Sequence, residues 1–170
     1  SITSIESLFM DNGYIGVYNK KLGVINSLKS DFIGNKSVSI YNEYGIVESI
    51  IGDFLSNKGK AVSNTYGTIG LIDGRFVGNS TNYSNKTPML GPGAAIHNHE
   101  GFIDLIMGEF IENTTNGVNN YGGLGGAIYN SAYDNSTAQI GNITGDFIGN
   151  YAQTTSGFAL KTCVPTIKEA

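Results

Sequence analysis

Apolar and polar positions along this chain follow no single short period; they recur as a block. Phe9, Phe32, Phe54, Phe76, Phe110 and Phe147 each open a Phe-x-x-Asn group, closed by Asn12, Asn35, Asn57, Asn79, Asn113 and Asn150. Successive Phe residues are 23, 22, 22, 34 and 37 positions apart. A second mark lies between them: Val17-Tyr18-Asn19, Ile40-Tyr41-Asn42, Val62-Ser63-Asn64, Ile96-His97-Asn98 and Ile128-Tyr129-Asn130. It fades at Leu160-Lys161-Thr162. A third mark precedes each Phe from the second onward, as in Val24-x-x-x-Leu28 and Ile46-x-x-x-Ile50, with Gly23, Gly45, Gly67 and Gly101 just ahead of the first four. Short apolar runs bounded by Gly and Asn predict strands and turns, and self-similarity at this period predicts a solenoid.

The spacings also locate insertions. From Phe to the second Asn is 10 residues in the first three blocks, then 22 and 20. Residues Ser80 to Gly91 and Thr114 to Gly125 therefore enter after the Phe-x-x-Asn group, and Ser131 to Thr137 after the Tyr-Asn group. A solenoid tolerates such bulges because each coil touches only its neighbours. The predicted fold is all-β: a parallel β-helix of about six coils, each of three short strands, over residues 1–162, with 163–170 as a C-terminal cap or tail. At about 4.8 Å per coil the rod is about 29 Å long, and the preference of parallel crossovers predicts a right-handed coil. Stacked Phe rings contribute roughly 1.5–3 kcal/mol each on burial. Asn is expected at the corners, where it accepts left-handed backbone and bonds along the stack.

Composition then removes alternatives. Charged residues are 14 % of the chain, against roughly 25 % in ordinary domains. The net charge of -4 argues against capture of nucleic acid. A single Cys, Cys163, makes no internal disulfide. No apolar run reaches the length of a membrane-spanning helix. No secretory leader pattern opens the chain, so a mature or excised segment is expected.

The blocks resemble the repeats of polymorphic outer-membrane proteins and other autotransporter adhesin passengers, which carry Gly-Gly-Ala-Ile together with Phe-x-x-Asn. Gly125-Gly126-Ala127-Ile128 matches the first motif, Gly93-Ala94-Ala95-Ile96 is one residue away, and Gly157-Phe158-Ala159-Leu160 is a weaker echo. The resemblance covers about residues 1 to 162. It implies a secreted passenger on a bacterial surface that binds a host cell-surface protein or glycan, with contact to the membrane only through a region absent from this chain.

Candidate sites follow from the same alignment. The residue before each Phe is Leu8, Asp31, Asp53, Arg75, Glu109 or Asp146, so Arg75 is expected between two acids, offsetting their repulsion. A polysaccharide lyase or hydrolase would use such carboxylates directly, but repetition already accounts for them, and no catalytic residue is assigned. His97 and His99 are two apart on a strand, yet no further ligand stands in order, so a surface position is expected and neither metal nor cofactor is assigned. The row Tyr18, Tyr41, Ser63, His97 and Tyr129 offers rings to a sugar or a partner protein. The two longer inserts supply Tyr83, Lys86, Met89, Asn119 and Tyr121 as ligand-binding candidates on a rigid scaffold. A non-enzymatic surface adhesin or surface-structural segment is thus expected, with a polysaccharide-active enzyme and a passive spacer as the alternatives.

Overall fold

The computed structural model describes residues 1–83, 93–117, 124–133 and 136–154. The first three blocks give β1 (Ile2–Met10), β2 (Val17–Asn19), β3 (Val24–Ile33), β4 (Ile40–Glu43), β5 (Ile46–Ile51), β6 (Phe54–Leu55) and β7 (Val62–Thr65). The rest give β8 (Thr68–Val77), β9 (Ser80–Tyr83), β10 (Ile96–His99), β11 (Phe102–Ile111), β12 (Thr114–Gly117), β13 (Ile128–Ser131), β14 (Gln139–Ile148) and β15 (Tyr151–Thr154). A seven-stranded sheet runs β1-β3-β5-β8-β11-β14, with β6 beside β3 and β8. A five-stranded sheet runs β13-β10-β7-β4-β2, and a three-stranded sheet β15-β12-β9. The pairs are parallel and chain-neighbouring strands of one sheet lie a full coil apart, the arrangement of a parallel β-helix.

The predicted register is the observed one. Phe9 pairs with Phe32, Phe32 with Phe54, Phe54 with Phe76, Phe76 with Phe110, and Phe110 with Phe147. Their rings stack at centroid distances of 4.7 to 5.0 Å, and the four inner rings are fully buried. Leu28, Ile50, Ile72 and Ile106 form a second buried file, and Ile40, Val62 and Ile96 a third, facing from the five-stranded sheet. Side chains alternate across a strand, so the apolar first residue and the Asn of each Tyr-Asn mark point in while the middle residue points out.

Two asparagine ladders run the length of the rod. Asn12, Asn35, Asn57, Asn79 and Asn113 each donate from Nδ2 to the Oδ1 of the Asn one coil ahead, at 2.7 to 2.9 Å. Asn19, Asn42, Asn64 and Asn98 do the same at 2.8 Å, ending on Asn130. Each inner amide is buried with its partners supplied, which removes the cost of burying it.

Two expectations need correction. At the Phe-x-x-Asn groups the left-handed corner is not at the Asn but one residue earlier: Asp11, Gly34, Ser56, Gly78, Glu112 and Gly149 all have φ between 52° and 64°. The ladder amide bonds the corner; its neighbour makes the bend. The glycines at 45, 67 and 101 are fixed by space instead. A Cβ on Gly45 would lie 2.3 Å from Asn19 Nδ2, and one on Gly67 2.3 Å from Asn42 Nδ2.

The second correction concerns the coil. The first three coils pass from the seven-stranded to the five-stranded sheet without a third strand. The inserts do not simply bulge: their first four residues are β9 and β12, paired in register with each other and with β15. Thr81 and Thr115 turn inward and are fully buried. Two equivalent inserts on neighbouring coils satisfy each other's backbone groups, which isolated loops would leave to water.

Candidate functional site

The outer face of the five-stranded sheet presents two rows, fixed by the strand register. One is Tyr18, Tyr41, Ser63, His97 and Tyr129; the other is Glu43, Thr65, His99 and Ser131. The chain then turns a corner through Tyr44, Tyr66 and Glu100, all with φ near +50°. Tyr133, beyond β13, meets His99 edge-on at 4.8 Å. Six of the ten tyrosines and both histidines thus lie on or beside this face.

The rings are stacked along the rod axis. Tyr18 and Tyr41 lie 5.2 Å apart at 12°, and Tyr44 and Tyr66 4.7 Å apart at 10°. One face of each ring is therefore spent on its partner, and ring edges and hydroxyls point outward. The Lys20 ammonium sits 5.9 Å from the Tyr18 ring centroid. Tyr18 donates its hydroxyl to Glu43, and that bond chiefly holds its proton on, raising its pKa from 10.0 to about 12. Tyr66 is raised too, by desolvation first and then by the Glu100 charge. Protonated hydroxyls are donors across the physiological range. Tyr18, Tyr44, Tyr66 and Tyr133 are exposed; Tyr41 is half-buried.

The middle of the face is different. His97, expected at the surface, is buried. Its Nδ1 lies 2.9 Å from Nζ of Lys60, itself 5 % exposed, and its Nε2 lies 3.1 Å from Ser131 Oγ. Ser131 Oγ is also 3.1 Å from His99 Nδ1, and His99 Nε2 is 3.7 Å from Glu100 Oε1. An ammonium has only protons to give, so Lys60 donates to His97 Nδ1, His97 Nε2–H donates to Ser131, and Ser131 donates to His99. Burial lowers Lys60 from 10.5 to about 8. Burial first, then the Lys60 and His99 charges, lowers His97 from 6.5 to about 2, leaving a neutral ring. The Glu100 carboxylate is too far from His99 to hydrogen-bond it; it accepts instead from the Tyr133 amide at 3.1 Å. Among the described residues no group of three His, Cys, Asp or Glu side chains is placed to hold a metal ion.

Of the ligand-binding candidates, His97 and Tyr129 belong to this face: Tyr129 is half-buried, its ring 5.2 Å from that of His97. Tyr83 ends β9 opposite Gly117. Lys86, Met89, Asn119 and Tyr121 lie outside the described residues, as does Cys163. Sequence reading missed Lys60, whose only signal is its place just before Ala61-Val62, and the corner tyrosines Tyr44 and Tyr66, whose signal is the position before Gly45 and Gly67. On the opposite long face Arg75 bonds Asp53 and Glu109, each at 3.3 Å, as its row position predicts.

Comparison with family models, with curated proteins and with solved structures finds no match.

Proposed function

We propose that this chain is a non-enzymatic segment of an extracellular surface adhesin or surface-structural β-helix, secreted or displayed on a bacterial surface, that binds a host protein or glycan. One observation carries the reading: six tyrosines and both histidines gather on or beside the outer face of the five-stranded sheet, whereas the outer face of the seven-stranded sheet mixes charges with exposed Ile46, Ile51 and Met107 and, among the described residues, the aromatic Phe102. Packing does not require this, because outward positions of a coil are free to vary. Exposed Tyr44, Tyr66 and Tyr133, with the half-buried Glu43 nearby, make a row of hydroxyls beside a carboxylate, suited to hydrogen-bonding sugar hydroxyls or a partner's backbone. The likeness of the repeats to autotransporter passengers supports the same reading, by motif alone.

The test is retention of the purified chain on immobilised glycans and host-matrix proteins, with released saccharide assayed in parallel. Retention without release is the expected result, and Tyr44→Ala with Tyr66→Ala should abolish it. Released saccharide would replace this reading with the polysaccharide-active one.

A further inference from the structure

Among the described residues two pairs of tyrosines stack along the rod, Tyr18 on Tyr41 and Tyr44 on Tyr66. The second pair is the closer, with centroids 4.7 Å apart against 5.2 Å, and both of its rings are exposed where Tyr41 is half-buried. Its backbone sets it up. β4 and β7 pair in parallel register to Glu43 and Thr65, so Tyr44 and Tyr66 leave the sheet at the same point of neighbouring coils. Their amides donate to the Thr65 and His99 carbonyls, each one coil ahead, at 3.0 Å. Their φ values are 55° and 54°. Matching backbones one strand spacing apart, about 4.8 Å, aim both rings the same way.

This backbone is a costly one for a ring. The left-handed region suits Gly or Asn, and a bulky residue held there is strained. At the opposite corner glycine takes it at Gly34, Gly78 and Gly149. Here two tyrosines take it, and at 50 % and 40 % exposure they fill no space in the core. The same row holds Leu22 one coil before Tyr44 and Glu100 one coil after Tyr66. Each ring therefore has one tyrosine neighbour in its row. The Glu100 carboxylate stands near the Tyr66 hydroxyl, whose proton it helps to hold.

We propose that Tyr44 and Tyr66 form an oxidative cross-linking site, at which a peroxidase using hydrogen peroxide joins the two rings into one dityrosine. Each phenol loses one electron and one proton, the Tyr66 proton passing first to Glu100. The two phenoxyl radicals couple through ring carbons beside their oxygens, forming one C–C bond. The hydrogen on each of those carbons then moves to oxygen, which restores both hydroxyls and both aromatic rings. The two electrons and two protons given up reduce one hydrogen peroxide to two waters. Rings already parallel and in contact need no search, so coupling within the chain outruns coupling between copies. The bond ties neighbouring coils and closes the intervening chain into a loop, a constraint of the kind a disulfide imposes; the single Cys of this chain makes no such tie within it. The chemistry needs no bound ligand and goes beyond the recognition reading without resting on it.

The experiment treats the full chain at several dilutions with hydrogen peroxide and a peroxidase, and reads dityrosine fluorescence, intact mass and the joined peptides. The expected product is a monomer lighter by two hydrogens, with Tyr44 bonded to Tyr66, in a yield that does not change with dilution. Tyr44→Phe and Tyr66→Phe each keep the stacked ring and should each abolish that product. A chain that forms no internal dityrosine under conditions that couple free tyrosine overturns the proposal. A cross-link found only between copies, or one within the chain that joins a different pair, overturns it too. The peptide map of the unmodified chain decides the matter should a variant fail to fold.

Discussion

The two long faces of this rod are built on the same coils, yet treat an outward position differently. The seven-stranded sheet shows the solvent Lys29, Asp31, Glu48, Arg75, Glu109 and Asp146 among exposed Ile46, Ile51, Phe102 and Met107, with Arg75 bridging Asp53 and Glu109 along one row. The five-stranded sheet shows tyrosines stacked on each other, flanked by Glu43 and Glu100, around a buried Lys60–His97–Ser131 chain. Charge on the first face does what charge does on most exposed sheets: it solvates the rod and balances neighbours. The second face sets rings and hydroxyls over a desolvated ammonium on strands paired in register. Behind both lies the same interior of Phe and Asn, so the faces differ in chemistry rather than in fold.

The comparison can be broken first from the inside. Phe76→Ala removes a fully buried ring from the middle of the stack and should cost about 3–5 kcal/mol in a denaturant titration, affecting both faces together. Asn64→Ala takes the acceptor from Asn42 and the donor from Asn98; leaving buried amides unpaired should cost about 2–3 kcal/mol. A loss confined to one face would show that the faces are separately stabilised.

A pH series sharpens the contrast. Lys60 falls from 10.5 to about 8 on folding. Between those values the unfolded chain holds a proton that the folded chain has released, so stability should rise with pH. The gain between pH 8 and 10 is on the order of 2 kcal/mol. Lys60→Met should flatten it. Above pH 10 the raised Tyr18 works the other way, since the unfolded chain ionises first. Below pH 6.5 the unfolded chain takes up a proton that buried His97 refuses, so stability should fall with falling pH. Thermal melts of the unmodified chain and of Lys60→Met across this range check the signs. Smallest of all, Arg75→Ala should change stability by less than about 1 kcal/mol, both bridges being exposed.

Most of the fold was legible because a solenoid writes its register into the sequence. Each Phe and each ladder Asn has the same neighbours above and below, so equal spacing is equal position. The acid–Arg75–acid row was readable for the same reason. The place of the third sheet was not: a third strand was expected in every coil, but it forms only where β9 and β12 open the inserts and at β15, and such short Thr- or Tyr-led tetrapeptides are a weak signal. The left-handed corners were assigned to the Asn itself: at the Phe-x-x-Asn groups they fall one residue earlier, at positions such as Asp11, Ser56 and Glu112, and after the Tyr-Asn marks two residues later, at Tyr44, Tyr66 and Glu100, none of which carries a mark of that backbone. His97 was read from its row as a surface residue. Lys60, from a connection outside any strand, pairs with it and leaves it buried, and repetition says nothing of such contacts.

The central claim is that recognition belongs to the tyrosine face and not to the charged one. The most direct measurement compares the unmodified chain, Tyr44→Ala with Tyr66→Ala, and Arg75→Ala for retention on the same set of immobilised glycans and matrix proteins, each first shown to keep its melting temperature. Loss of binding in the tyrosine variant, with Arg75→Ala unchanged, is the expected result. Binding that survives without the tyrosines but is lost with Arg75 would contradict it.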